Sequence, residues 1–274
     1  MKYLFIKLYV WLLLFSLSCF SQTNKSYPLH DDKFLVTVGV YWPSDDYKIG
    51  VNGSFAEDQF NFDESFDTKN NHVTPLLAFH WRFTKKWHVN AEYFQLGYRR
   101  SAELQEDIEW GDYTFKAGSF AKGGIYLNMY RVVLGRTIYK SDRFLAMAGL
   151  GVHALNIKAF IEGTAYLNDQ EFAGERLSVR GVAPLPNITL SSLYAFSKKF
   201  SGSVRIDWFA LKIEEYSGGL WDINPTLYFQ AFDHLGFFVG YNFFDFNFTF
   251  DDENWKGTFD TSLKGPSIGI TSNF

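Results

Sequence analysis

The residues best equipped for chemistry come in pairs two positions apart within otherwise apolar stretches: His80 and Arg82, Asn90 and Glu92, Arg205 and Asp207, Asp222 and Asn224, with Arg131 and His153 placed similarly. Such a set supports three kinds of work. A carboxylate beside an imidazole can move a proton. Charges lining a narrow lumen can select solutes. Guanidinium and carboxylate groups can also simply neutralise one another, because an unpaired buried ion is costly. For His80, Arg82, Glu92, Arg131, Arg205, Asp207 and Asp222 the third reading takes precedence over catalysis. Glu92, Asp207 and Asp222 then neutralise Arg82, Arg131 and Arg205 as a salt-bridged plug. Structural ion pairs of this kind perturb titration as readily as active sites do.

Little else in the chain points to catalysis. The six histidines show no HExxH or other metal spacing, and neither a G-x-S-x-G elbow nor a phosphate-binding glycine loop is present. A hydrolytic site near one rim would have to draw on His72, His153, Asp251 and Asp252. His72 follows Asn70 and Asn71 in a polar stretch and reads as a solvated loop residue. No catalytic residue, cofactor or metal ligand is assigned.

Strands must hold these side chains. From Val73 to Thr84, one face carries Val73, Pro75, Leu77, Phe79, Trp81 and Phe83, and the other Thr74, Leu76, Ala78, His80, Arg82 and Thr84. Ser203–Ala210 and Trp221–Gln230 alternate in the same way, which is the mark of a two-faced strand. The composition is heavily aromatic, with 30 Phe, 16 Tyr and 8 Trp among 274 residues. A disordered chain lacks such residues. One cysteine excludes a disulfide scaffold. A net charge of −4 argues against a nucleic-acid partner. The mean hydropathy of −0.14 is too polar for a helical membrane bundle. A soluble sandwich would also alternate, but aromatics at both ends of strands of about ten residues are the girdles of a lipid-facing barrel. An open sheet in lipid would leave its edge amides without partners. The fold expected is therefore all-β, a closed antiparallel transmembrane β-barrel.

Four tight charged turns, at 84–87, 140–143, 197–200 and 232–235, alternate with long connections near 43–72, 101–122, 158–181, 214–219 and 251–256. Short turns on one side and long loops on the other is the habit of outer-membrane barrels, with the short side periplasmic. Ten strands result, near 33–42, 73–84, 87–100, 122–139, 143–157, 182–197, 200–213, 219–231, 235–250 and 257–274, with eight or twelve as alternatives. The segments 47–60 and 108–117 either extend the sheet above the membrane or raise the count to twelve. Several strands change phase near their outer end. Leu235, Phe237, Val239, Tyr241 and Phe243 share one face, then Phe244, Phe246, Phe248 and Phe250 the other. Either a β-bulge restores the register or the aromatics turn inward where the wall leaves the lipid. Pro75, Pro184, Pro186, Pro225 and Pro266 mark where strands enter the membrane, since proline belongs at strand starts and edges.

Residues 1–21 read as a cleaved export signal: Lys2 and Lys7, an apolar run over 8–15, then Cys19 and Ser21 as small residues before the cut. The apolar run is shorter than the ~20 residues of a spanning helix. Residues 22–274 form the barrel domain, without a cysteine and without a cofactor.

The chain closes Pro266-Ser-Ile-Gly-Ile-Thr-Ser-Asn-Phe274, with Ile268, Ile270 and Phe274 alternating. This resembles the terminal strand of Gram-negative outer-membrane proteins. Asp107-Ile-Glu-Trp-Gly-Asp112, Ala183-Pro-Leu-Pro186 and 232–242 resemble a family of uncharacterised outer-membrane barrels across most of the mature chain. The resemblance implies the outer membrane as location and the barrel-assembly machinery as reader of the terminal signal; it implies no substrate. The partners expected are outer-membrane lipid, lipopolysaccharide and a small-molecule ligand, with the protein a monomer. Acidic residues of the first loop (Asp45, Asp46, Glu57, Asp58, Asp63, Glu64, Asp67) and of 251–253 read as a solvated surface; bridging cations to lipopolysaccharide is the functional alternative. Phe55, Phe60, Phe62 and Phe66 among them suit a lid or an apolar ligand. The function expected is structural, or the binding or passage of a small molecule at the cell surface. The alternatives are a narrow charge-selective pore and a rim-site hydrolase.

Overall fold

A computed structural model describes residues 27–51, 60–61, 73–110, 112–213, 216–252 and 255–274. The expected export signal, most of the acidic first loop and His72 lie outside the described residues. Among the described residues a one-turn helix, α1 (Pro28–Asp31), precedes fourteen strands. These are β1 Phe34–Tyr41, β2 Ser44–Val51, β3 Phe60–Asn61, β4 Thr74–Arg82, β5 Trp87–Glu103, β6 Ile108–Trp110, β7 Tyr113–Phe115, β8 Phe120–Lys140, β9 Phe144–Leu167, β10 Gln170–Ala195, β11 Phe200–Ile213, β12 Tyr216–Phe232, β13 Leu235–Asp252 and β14 Trp255–Asn273. All pairings are antiparallel. β1 pairs with β4 on one side and β14 on the other, so ten strands (β1, β4, β5 and β8 to β14) close into a ring. Closure removes the sheet edge that lipid would not tolerate.

The remaining strands extend the wall and leave the count at ten. β2 continues along the outer half of β14, and β3 pairs with β2. β6 and β7 form a hairpin that touches β9 through Thr114 and Tyr166. The long connection expected over 158–181 is instead strand. β9 and β10 run to 24 and 26 residues and meet at Asn168 and Asp169, both with positive φ (49° and 65°). Two consecutive left-handed residues form the tight hairpin turn that Asn and Asp tolerate best. At about 3.3 Å per residue such strands run on the order of 80 Å, and a membrane crossing needs only about ten residues.

Side-chain polarity inverts with height along each wall. On β13, Phe237, Val239, Tyr241 and Phe243 point outward, followed by Asp245 and Asn247; inward, Gly240 and Asn242 give way to buried Phe244 and Phe246. On β8, Leu134, Val132 and Tyr130 face out before Asn128, while inward Arg131 is followed by Met129, Leu127 and Ile125. β12 behaves alike, with Asp222 succeeded by Leu220, and β11 with Asp207 succeeded by Phe209. No register shift interrupts β13–β14 or β5–β8 at these positions. The phase change is therefore no bulge. The backbone alternates without a break, and the solvent outside changes from hydrocarbon to water. Below the boundary apolar groups face out; above it they face in, where Ile108, Trp110 and Phe115 of the β6–β7 hairpin join the same buried cluster.

Proline positions fit the wall. Pro75, Pro184, Pro186 and Pro266 sit exposed on outward faces, and Pro225 is half-buried there. Gly39 and Gly269 pair across β1 and β14, and the Phe238 ring lies against them; a Cβ on Gly39 would come within 2.7 Å of that ring.

At the short-turn end the chain closes its own mouth. α1 tucks inside, with His30 2% exposed. Arg82 Nη2 donates to the His30 carbonyl at 2.7 Å, and Lys140 Nζ donates to Asp31 at 3.0 Å. Lys33 N and Phe34 N both donate to the Phe274 carbonyl. Asn273 links Asp32 to Gln230. Burial, then the Lys140 charge, holds the His30 imidazole below its ordinary pKa, against the opposing pull of Asp31.

Candidate functional site: the ion layer of the lumen

Alternation turns the paired polar residues inward, and register brings part of the set to one height. Glu92 of β5 faces Arg131 of β8, which faces His153 of β9. Thr189 of β10 faces Asp207 of β11, which faces Asp222 of β12. The two rows lie on different parts of the ring, and long side chains join them across the lumen.

Asp207 is the hub and is fully buried. Arg131 Nε donates to its Oδ2 at 2.8 Å and Arg131 Nη2 to its Oδ1 at 3.0 Å, a bidentate contact that fixes orientation as well as charge. Arg205 Nη1 also donates to Oδ2, and Asn187 and Thr189 donate to Oδ1. Arg205 further reaches Asp222 at 3.0 Å and Glu92 at 3.5 Å. Glu92, Arg131, Arg205, Asp207 and Asp222 thus form one network. A buried ion network of this kind is roughly neutral in stability against a well-packed apolar layer, but removing one member strands its partners as unpaired buried charges.

The other two residues of the expected set stand apart, nearer the short-turn end. His80 bonds Asn90 at 2.6 Å and lies 3.3 Å from His88, whose Nε2 meets Thr137. Arg82 serves the plug through His30. Three partners of the network fall outside the expected set: Asn187, Thr189 and His153. Asn187 and Thr189 share the inward face of β10, so parity places them in the lumen, but uncharged side chains carry no mark of ion pairing in the sequence.

His153 adds a distinct feature. The Asn187 amide nitrogen donates to Asp207 and Thr189, so its oxygen accepts from His153 Nδ1 at 3.2 Å. His153 Nε2 lies 3.6 Å from Asp222, and among the described residues neither Nε2 nor Asp222 Oδ1 has a hydrogen-bond partner. His153, Asp207 and Asp222 bring one donor atom each within 4.8 Å of one another, a spacing that suits a metal ion. The chemistry does not fit one. Asp207 already accepts from two guanidiniums, an amide and a hydroxyl, and a cation would have to sit beside Arg131 and Arg205.

The ion layer separates two unlike spaces. Toward the long strands, Phe94, Leu127, Met129, Leu155 and Phe244 pack within one buried cluster, and the Phe244 ring lies 6.3 Å from that of His153. Toward the short turns lies a cavity of 170 Å³ bordered by Glu92, Arg131, Arg205, Asn90, His80 and Tyr228, with Leu29 of α1 on its floor. At ~30 Å³ per water molecule, it has room for roughly five waters or one small polar molecule.

Of the residues considered for a rim hydrolase, only the His153 side chain is among the described residues. His153 lies beneath the apolar layer. The backbone of Asp251 and Asp252 ends β13 opposite Lys256 and Trp255; their side chains, like His72, lie outside the described residues. At the C-terminus, Ile268 and Ile270 face outward and the Phe274 ring rests 5.5 Å from Phe34.

No protein-family model matches the sequence, and no curated protein sequence matches it. Solved structures do. The outer membrane protease OmpT of Escherichia coli superimposes with a TM-score of 0.55 at 12% identity, over 92% of this chain and 100% of that one. The toluene transporter TodX of Pseudomonas putida aligns at 9% identity over 90% and 91% of the two chains, with a TM-score of 0.36. The outer membrane protein OprG of Pseudomonas aeruginosa aligns at 10% identity over 91% and 98%, also at 0.36. At such identities the likeness to OmpT is one of architecture. A ring of antiparallel strands, apolar without and charged within, gives this chain the fold of an outer-membrane β-barrel.

Proposed function

We propose that the protein is an integral outer-membrane barrel with a sealed lumen, which serves as a structural scaffold and carries its tall outer strands as a binding surface at the cell exterior. The observation that supports this reading is the stacking of layers. Buried apolar side chains lie across the passage directly above a network of ions that bind one another, and α1 fills the opposite mouth. On this reading the charges brace the wall. The partners are outer-membrane lipid and lipopolysaccharide around the band, and the barrel-assembly machinery, which reads Ile268, Ile270 and Phe274 during biogenesis. Planar-bilayer recording of the folded full chain tests the proposal. The expected result is no current above background; reproducible single-channel steps would replace the scaffold with a charge-selective pore.

A second reading has its own observation. The 170 Å³ cavity beneath the ions is bordered by both donors and acceptors and is floored by a short helix rather than by a strand. It suits a small polar molecule held from the periplasmic side. Native mass spectrometry of protein extracted from membranes would show such a molecule as a discrete added mass, lost when Asn90→Leu fills the cavity wall. An unmodified mass in every preparation sinks this reading.

A further inference from the structure

The rim formed by the short turns carries a site of its own. Its four turns hold Lys85, Lys86, Lys140, Arg143, Lys198 and Lys199 against Asp142 and Asp233. One groove in this rim is built differently from the rest. It measures 550 Å³ and runs between the β4–β5 turn and the end of β8, bounded by Lys85, Lys86 and Arg136. A register shift between Thr137 and Tyr139 lies in its wall. The shift turns two consecutive side chains outward, Ile138 at 62% exposure and Tyr139 at 58%. Regular alternation would have hidden one of them. Above the groove lie Trp87 and the lipid-facing wall, with the Arg136 guanidinium 5.7 Å from the Trp87 ring.

Charge availability points the same way. Lys140 is bound to Asp31. Among the described residues, Lys85, Lys86 and Arg136 have no carboxylate within ion-pair reach. Three uncompensated cations therefore face an apolar step at the height where an aromatic belt meets lipid headgroups. Basic pockets at that level attract anionic headgroups, with about 1 kcal/mol per cation. We propose that this groove binds the phosphate headgroup of an anionic phospholipid of the inner leaflet. Lys85, Lys86 and Arg136 hold the phosphate, and Ile138 and Tyr139 lie along the first part of an acyl chain.

The test is native mass spectrometry of the folded full chain in detergent doped with phosphatidylglycerol, or with phosphatidylcholine at the same mole fraction. The wild-type chain is expected to retain phosphatidylglycerol in preference. Lys85→Gln, Lys86→Gln and Arg136→Gln are each expected to weaken retention about five-fold, and the triple variant by roughly a hundred-fold. Lys198→Gln with Lys199→Gln, on another part of the rim, is expected to leave it unchanged. The Ile138→Ser, Tyr139→Ser variant keeps every cation and is expected to lose retention through the acyl contact, which secures the test if the triple variant fails to fold. Four results would each overturn the proposal: equal retention of phosphatidylcholine, retention unaltered in both groove variants, equal loss in the Lys198 and Lys199 variant, or full displacement by millimolar inorganic phosphate. The last would show that the groove reads free phosphate and not lipid.

Discussion

The outer and inner halves of the lumen are lined by the same strands and obey opposite rules. In the inner half the wall stands in hydrocarbon, so apolar side chains face out and the inward positions hold Asn90, Glu92, Arg131, Arg205 and Asp222. In the outer half the wall stands in water, so Asp245, Asn128 and Lys264 face out and Phe94, Leu127, Phe244 and Leu263 pack within. Between a strand's two halves only the medium outside changes. An ordinary hydrophobic core thus sits directly on a buried salt-bridge layer, and the two resist damage differently. The apolar half loses a contact when a side chain is cut. The ionic half acquires an unpaired charge.

The contrast is sharpest at the hub. Asp207→Ala leaves Arg131 and Arg205 without their shared carboxylate and is expected to cost about 3–5 kcal/mol, read as a drop in the urea midpoint for folding into lipid. Pairing Asp207→Leu with Arg131→Met is expected to recover most of that loss, because Arg205 keeps Asp222 and Glu92. If the single variant folds as well as wild type, the ions do not brace the wall.

In the apolar half, Phe244→Ala is expected to cost about 3 kcal/mol from lost burial and the cavity left behind. Its neighbour Phe243 faces the lipid, and Phe243→Ala is expected to cost less in the same assay. Equal losses would mean that the polarity inversion is misplaced.

The height of the boundary can be measured by an arginine scan of the outward face. Leu134→Arg, deep in the band, is expected to cost about 2–4 kcal/mol in bilayers, and Phe243→Arg, at the interface, about 0–1 kcal/mol. A reversed order would move the membrane relative to the ion layer.

The smallest effect concerns the plug. The folded pKa of His30 lies below the unfolded value of ~6.5 because burial disfavours its charged form. Neutral His30 therefore supports the plug fully above about pH 6.5, and that support is lost as pH falls through the folded pKa. Hydrogen-exchange protection over 27–33, taken relative to the intrinsic exchange rate at each pH, is expected to fall in mildly acidic buffer, and His30→Gln is expected to flatten the response. Protection that is independent of pH would remove His30 from the plug's energetics.

Much of this was legible along the chain. Period-two alternation marked the strands and the short charged turns counted ten of them, because each side chain's face is a local property of the pleat. The inward faces of β4, β11 and β12 match the sequence assignment residue by residue. Two features were less legible. Asn168-Asp169 is a hairpin turn signal, yet it lay inside a charged stretch that read as loop. The phase change on β13 carries two explanations of equal local merit, a bulge or a change of surroundings, and no residue spacing distinguishes them.

The sequence by itself determined that a closed barrel forms and which side chains enter its lumen. Only the tertiary structure decided which of them meet. Arg131 and Asp207 are 76 residues apart and stand on strands separated by two others. Their contact depends on the stagger accumulated around the whole ring, a sum of every register between them. Arg82, with the same local signature as Arg205, falls on the other side of the cavity and binds the plug. Alternation fixes the face of a residue; closure fixes its height, and height is what makes ions into partners.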